Sequence, residues 1–165
     1  MNSVKIYDDV LTKDDLEFIK ENYFTESKTS AIDILCELDN FLKKEILYSL
    51  AFDFDNSIID PCIAHAIIME TYNIENKDAV LWEPHHDGNE SKVITLIFVD
   101  REDTNQWTGG ELDVYTSLNA FDYPDNKMRI EPIPGRIAVF DSSQVHCIRP
   151  YFGTAPRKSI SIGWE

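Results

Sequence analysis

The sequence is poor in cysteine, poor in positive charge and free of long apolar runs. Its three cysteines, Cys36, Cys62 and Cys147, are odd in number, widely spaced and without a CxxC pair. That argues against a disulfide framework and for thiols in a reducing compartment. No segment approaches the roughly 20 apolar residues needed to span a bilayer, so no membrane partner is expected. The opening Met1-Asn2-Ser3-Val4-Lys5 lacks the apolar core of a secretion signal, which makes a cytoplasmic location the expectation. Repeats, linkers and low-complexity tracts are also missing. With 165 residues, 43% of them apolar, the expectation is one domain around one core.

Lysine and arginine number 15 against 30 acidic residues, a formal charge of −15. Such a field repels a phosphate backbone, and no basic stripe offsets it, so nucleic acid is not expected as a partner. The charge serves solubility, and a basic protein or peptide is a second use for it.

What is present divides in two. Thr12 followed by Asp15 resembles a capping box, with Asp in place of Glu or Gln, ahead of Leu16, Ile19 and Tyr23 at helical spacing. This predicts a helix over Lys13–Tyr23. A second is predicted over Ala31–Leu50, with Ile34, Leu35, Leu38, Leu42, Ile46 and Leu50 on its apolar face. From Cys62 the pattern becomes short β-prone runs: Cys62–Tyr72, Ala79–Pro84, Lys92–Val99, Gly110–Tyr115, Met128–Pro132, Ile137–Phe140, Gln144–Arg149 and Arg157–Trp164. The fold class is therefore mainly β, a sandwich or jelly roll, with residues 1–60 as helical support and 61–165 as the core. Gly109-Gly110 reads as a turn that needs positive φ.

Pro84-His85-His86-Asp87 carries the chemistry. On an extended strand His85 and Asp87 leave on one face and His86 on the other. A rival arrangement puts His86 with Asp87 on a tight turn. His146, fifty-nine residues after Asp87, would complete two imidazoles and a carboxylate on one side of a metal. That is the facial arrangement of non-haem Fe(II) oxygenases, which leaves coordination positions open. Cys147 points away from His146 on a strand and is not a ligand candidate. Arg157 and Ser159 share a face of the last strand, a forked cation and a hydroxyl suited to a carboxylate. His65, in mid-strand, reads as a hydrogen-bonded sheet residue rather than a ligand. Trp82 and Trp107 stand equally for substrate stacking or for packing, and the segments Asp100–Asn105 and Ser117–Lys127 are long enough to act as lids.

In order along the chain, Glu83-Pro84-His85-His86-Asp87, Val93–Val99, Gly109-Gly110-Glu111-Leu112, Pro134–Phe140, His146 and Arg157–Ser161 resemble the 2-oxoglutarate- and Fe(II)-dependent oxygenases, in particular their prolyl 4-hydroxylase-like branch. The resemblance covers roughly Ala64 to Trp164. It implies a double-stranded β-helix (jelly roll) buttressed by the two N-terminal helices. It implies iron at His85, Asp87 and His146, with these three as the catalytic set. It also implies 2-oxoglutarate held at its 5-carboxylate by Arg157 with help from Ser159, O2 as oxidant, and ascorbate as a candidate reductant. Tyr72 resembles a tyrosine that contacts the same carboxylate. It lies thirteen residues before His85, across an Asn73–Asp78 loop longer than the pattern's, so a structural aromatic stays open as its alternative. Thr95 is a weaker candidate for the same pocket. The activity implied is hydroxylation of a protein or peptide side chain, proline first, with release of succinate and CO2. The alternatives are a hydroxylase of a free amino acid or other small molecule, and a non-catalytic jelly-roll binding protein. Nucleic-acid demethylases of this kind carry a second Arg six residues after the first, where this chain has Gly163.

Overall fold

Val93–Asp100 is the most apolar stretch of the chain, and all but its last residue are buried. A strand with no polar face needs cover on both sides, and the architecture is arranged to provide it. The structure, a computed structural model, describes residues 4–24, 43–69, 84–87, 91–100, 108–116, 126–154 and 156–165. Its elements run β1 (Lys5–Tyr7), α1 (Lys13–Tyr23), α2 (Lys44–Phe54), β2 (Pro61–Met69), β3 (Val93–Asp100), β4 (Thr108–Gly109), β5 (Leu112–Tyr115), β6 (Lys127–Ile130), β7 (Ile137–Asp141), β8 (His146–Ile148), β9 (Tyr151–Phe152) and β10 (Arg157–Trp164). A five-stranded sheet has the order β1-β7-β3-β10-β2, a three-stranded sheet the order β6-β5-β8, and β4 pairs with β9. All the pairings are antiparallel. This is the jelly roll, mainly β, with the two helices of the described residues laid on its larger sheet.

The period of two along β3 and β10 separates two cores. Val93, Ile97 and Val99 of β3, with Ile160, Ile162 and Trp164 of β10, pack against Ile19 and Tyr23 of α1 and Leu47 and Ala51 of α2. Their neighbours Ile94, Leu96 and Phe98 turn the other way and meet Leu112, Val114 and Ile148 of the smaller sheet. No described helix is long and apolar enough to cross a membrane.

The first helix spans Lys13–Tyr23 as predicted. Its box is closed at both ends: Asp15 N–H donates to Thr12 Oγ1 at 3.2 Å, and Thr12 N–H donates to Asp15 Oδ2 at 2.7 Å. The second departs from its prediction. Residues 31–42 lie outside the described residues, and the helix continues past Leu50 to Phe54. Its buried stripe is Leu47 and Ala51, whereas Ile46 is exposed. Two overlapping apolar stripes were available, and packing on β3 and β7 chose the other one. The N-terminal stretch is also more than helical support, because β1 pairs with β7 at the edge of the larger sheet. With three residues it is too short to show a period. The two-residue strands β4 and β9 escaped detection for the same reason. Most of the strand expected over Ala79–Pro84 lies outside the described residues.

Gly109 and Gly110 do adopt positive φ, 83° and 76°. Gly163 is required for a different reason. A Cβ there would stand 2.7 Å from Ile63 Cγ2 and 3.0 Å from Ser91 Cβ. The position cannot carry the arginine of a nucleic-acid demethylase. Gly163→Ala should cost about 1–3 kcal/mol of stability through overpacking. Urea unfolding checks this, and an unchanged midpoint would show that β2 yields.

Candidate metal and cosubstrate site

Two backbone hydrogen bonds bring the chemistry-bearing segments together. His85 N–H donates to His146 O at 3.0 Å, and His146 N–H donates to His85 O at 2.8 Å. The segment is thereby tied antiparallel to β8. Asp87 N–H adds a third tie to Ser142 O at 3.3 Å. This extended path sends His85 and Asp87 to one side, where His146 meets them. The Nε2 atoms of His85 and His146 each lie 3.7 Å from Asp87 Oδ1. One donor atom from each of the three falls within 4.8 Å of the others. Spacings of this order suit ligands around one cation with bonds of about 2.0–2.2 Å. His86 is exposed and is not part of the cluster.

His146 is prepared for such a role. Its Nδ1 lies 3.0 Å from Gln144 O, so Nδ1–H donates to that carbonyl and the Nε2 lone pair faces Asp87. Burial pushes its imidazole below the usual value, which favours the neutral form a metal needs. Phe140 packs on the ring with centroids 5.0 Å apart.

The cluster opens on a cavity of about 490 Å³ between the two sheets. Ile63, Ile67, Ile94, Leu96, Leu112, Phe140 and Ile148 give it an apolar wall, and His65, Ser91 and Ser161 add polar groups. Arg157 is not on the open wall. It is 0% exposed on the same face of β10 as Ser159 and Ser161, and its Cζ sits 4.9 Å from the Phe98 ring centroid. Gly110 leaves room for it: a Cβ there would come within 2.9 Å of Arg157 Cδ. Burial lowers its pKa to about 10, a shift opposed by Tyr151 and Glu111, so it stays charged at neutral pH. Nη1 donates to Ser159 Oγ at 3.3 Å. Nε and Nη2 are buried without a hydrogen-bond partner. A guanidinium stripped of water with two empty donors is costly unless an anion completes it. Those two nitrogens form the fork that grips a carboxylate side-on. The donor set and the orphaned fork together fit a metal and a dicarboxylate cosubstrate.

Among the other candidates, Ser159 is buried beside Arg157. Tyr72 lies outside the described residues. Thr95 requires correction. It sits on the helix-facing side of β3, where its Oγ1 accepts from Trp164 Nε1 at 2.9 Å, and it does not line the cavity. The period of two along Val93–Val99 puts it with Val93 and Ile97, away from Ile94 and Leu96. His65 is also more than a sheet residue, because it reaches the cavity wall without joining the metal cluster. Sequence reasoning missed Ser91 and Ser161 as lining residues. The alternation Arg157-x-Ser159-x-Ser161 was the available signal for Ser161.

Thr95→Val should destabilise the fold by about 1–3 kcal/mol, since it leaves a buried indole N–H without an acceptor. Denaturation measures that cost, and a parallel titration should find the 2-oxoglutarate midpoint unmoved. A moved midpoint would return Thr95 to the pocket.

The family model of the 2OG-Fe(II) oxygenase superfamily matches residues 72–164. The sequence has no match among curated proteins. Solved structures share the fold at low identity. A prolyl-4-hydroxylase from Pseudomonas putida superposes with a TM-score of 0.69 at 15% identity, over 100% of this chain and 88% of that one. The viral collagen prolyl hydroxylase of Paramecium bursaria Chlorella virus-1 gives 0.62 at 13% identity, over 98% and 87%. A Trichoplax adhaerens prolyl hydroxylase, solved with a peptide fragment of the hypoxia inducible factor oxygen degradation domain, gives 0.58 at 15%, over 99% and 84%. With the family matched over more than half its length, the chain belongs to the 2OG-Fe(II) oxygenase superfamily and is a 2-oxoglutarate-dependent dioxygenase.

Proposed function

We propose that this dioxygenase hydroxylates a side chain in a protein or peptide, with proline as the first candidate. The observation that carries the cofactor half is the pairing of the His85, Asp87 and His146 cluster with the buried, half-satisfied Arg157. The substrate half is supported by the aliphatic cavity and by the likeness in fold to prolyl hydroxylases, one of them solved with a peptide.

In this reading His85, Asp87 and His146 hold Fe(II), and Arg157 with Ser159 holds the distal carboxylate of 2-oxoglutarate. When bound, the two supply an oxidant for an unactivated C–H bond, with dioxygen consumed and succinate and CO2 released. The chain's own residues prepare the place for this. Asp87 contributes the one negative charge of the metal set. The Gln144 carbonyl keeps the His146 proton on Nδ1 and away from the metal side. Arg157 offers a counter-charge for the carboxylate, with its guanidinium held by Ser159. Ile94, Leu96 and Phe140 line the space beside the cluster and give it an apolar wall.

Adding Fe(II) and then 2-oxoglutarate to the apoprotein without oxygen should produce a visible metal-to-ligand charge-transfer band. His146→Ala should abolish the band and the release of succinate, while His86→Ala should keep both. Arg157→Ala should raise the 2-oxoglutarate midpoint by about 10- to 100-fold, the range expected for a lost charged hydrogen-bonding partner. A wild-type protein that gives no band would refute the cofactor assignment and leave a binding protein on an oxygenase fold.

A further inference from the structure

Three polar side chains of the cavity wall, His65, Ser91 and Ser161, have no part in the site described so far. Ser91 is buried, with its side chain against Gly163. His65 and Ser161 are better placed for a ligand. The register of β2 and β10 sets them directly opposite one another, and both side chains open into the cavity that holds the metal cluster. β2 is the outermost strand on its side of the larger sheet, and His65 is exposed although it lines the cavity. The pair therefore stands at the mouth.

Accounting for the cosubstrate leaves the pair unused. Arg157 and Ser159 take one end of 2-oxoglutarate, and the metal takes the other. Outside the metal cluster, no described residue of the wall carries an acidic or a basic side chain apart from His65 itself. In its neutral form an imidazole offers one N–H and one lone pair and, beside a hydroxyl, matches a peptide group, which offers one acceptor and one donor. It does not match both the ammonium and the carboxylate of a free amino acid, for which the described wall holds no pair of counter-charges outside the metal cluster. We propose that His65 and Ser161 hydrogen-bond a main-chain amide of the substrate next to the target proline, and so select a residue within a peptide over the free amino acid. The inference rests on the prolyl-peptide reading above.

The test uses the anaerobic Fe(II)–2-oxoglutarate protein and follows the shift of its charge-transfer band. An acetylated and amidated proline-containing peptide is titrated in, and free L-proline in parallel. The blocked peptide should bind at least about tenfold more tightly than free proline. His65→Ala and Ser161→Ala should each weaken peptide binding about tenfold, the value of one lost hydrogen bond, with the 2-oxoglutarate midpoint unchanged. His65→Gln, which keeps a donor and an acceptor, should recover most of the loss. Equal peptide affinity in wild type and the alanine variants would overturn the assignment and leave the prolyl reading standing. So would a 2-oxoglutarate midpoint that moves in both His65→Ala and His65→Gln, since that would place His65 in the cosubstrate site. A wild-type band that no prolyl peptide shifts would overturn the prolyl reading and the assignment together.

Discussion

Strand β10 is hydrogen-bonded along both edges, to β2 on one side and β3 on the other, and the site depends on that double pairing. A strand held on both sides cannot slip by one residue without turning every side chain to the wrong face. Its register therefore commits Ile160, Ile162 and Trp164 to the helices, Arg157 and Ser159 to the buried interior, and Ser161 to the cavity wall. The bulge at Gly163/Trp164 lies at the end of this run, where the absent side chain lets β2 and Ser91 close in.

The cavity is electrostatically economical. Its wall is mainly aliphatic, and charge appears at two places, one on the wall and one buried off it. At one, two imidazoles and a carboxylate converge, with the His146 proton held on the far nitrogen by the Gln144 carbonyl. At the other, a guanidinium is buried with its fork empty. Full burial raises the cost of the guanidinium in the bare protein and strengthens its pairing once a counter-charge is present, whereas His85 and Asp87 of the metal set stay partly open to solvent. At Arg157 stability is given up in a form that binding returns, as expected of a site preorganised for a dicarboxylate. The short ties between His85 and His146 make this precision affordable, because they fix the ligands through the backbone rather than through long side chains.

Much of the arrangement is legible in the sequence. Thr12 and Asp15 announced the start of α1, since capping is a contact between residues three apart. His85 was preferred to His86 as the partner of Asp87 from strand geometry alone, and the structure brings those two together. Ile46 misled because a helix with two apolar stripes does not say which one will be covered. Thr95 misled because an alternating strand does not say which of its faces looks inward.

Sequence alone determined whatever depends on neighbours along the chain: the helix cap, the strand runs, and the common face of His85 and Asp87 and of Arg157 and Ser159. The tertiary structure decided the rest. It chose the inward face of β3, buried Arg157 with two donors unmet, and paired His65 with Ser161 across ninety-six residues of chain. Such facts arise from sheet register and from which surfaces cover one another. They are settled by the free energy of the whole packed arrangement, which no local spacing records.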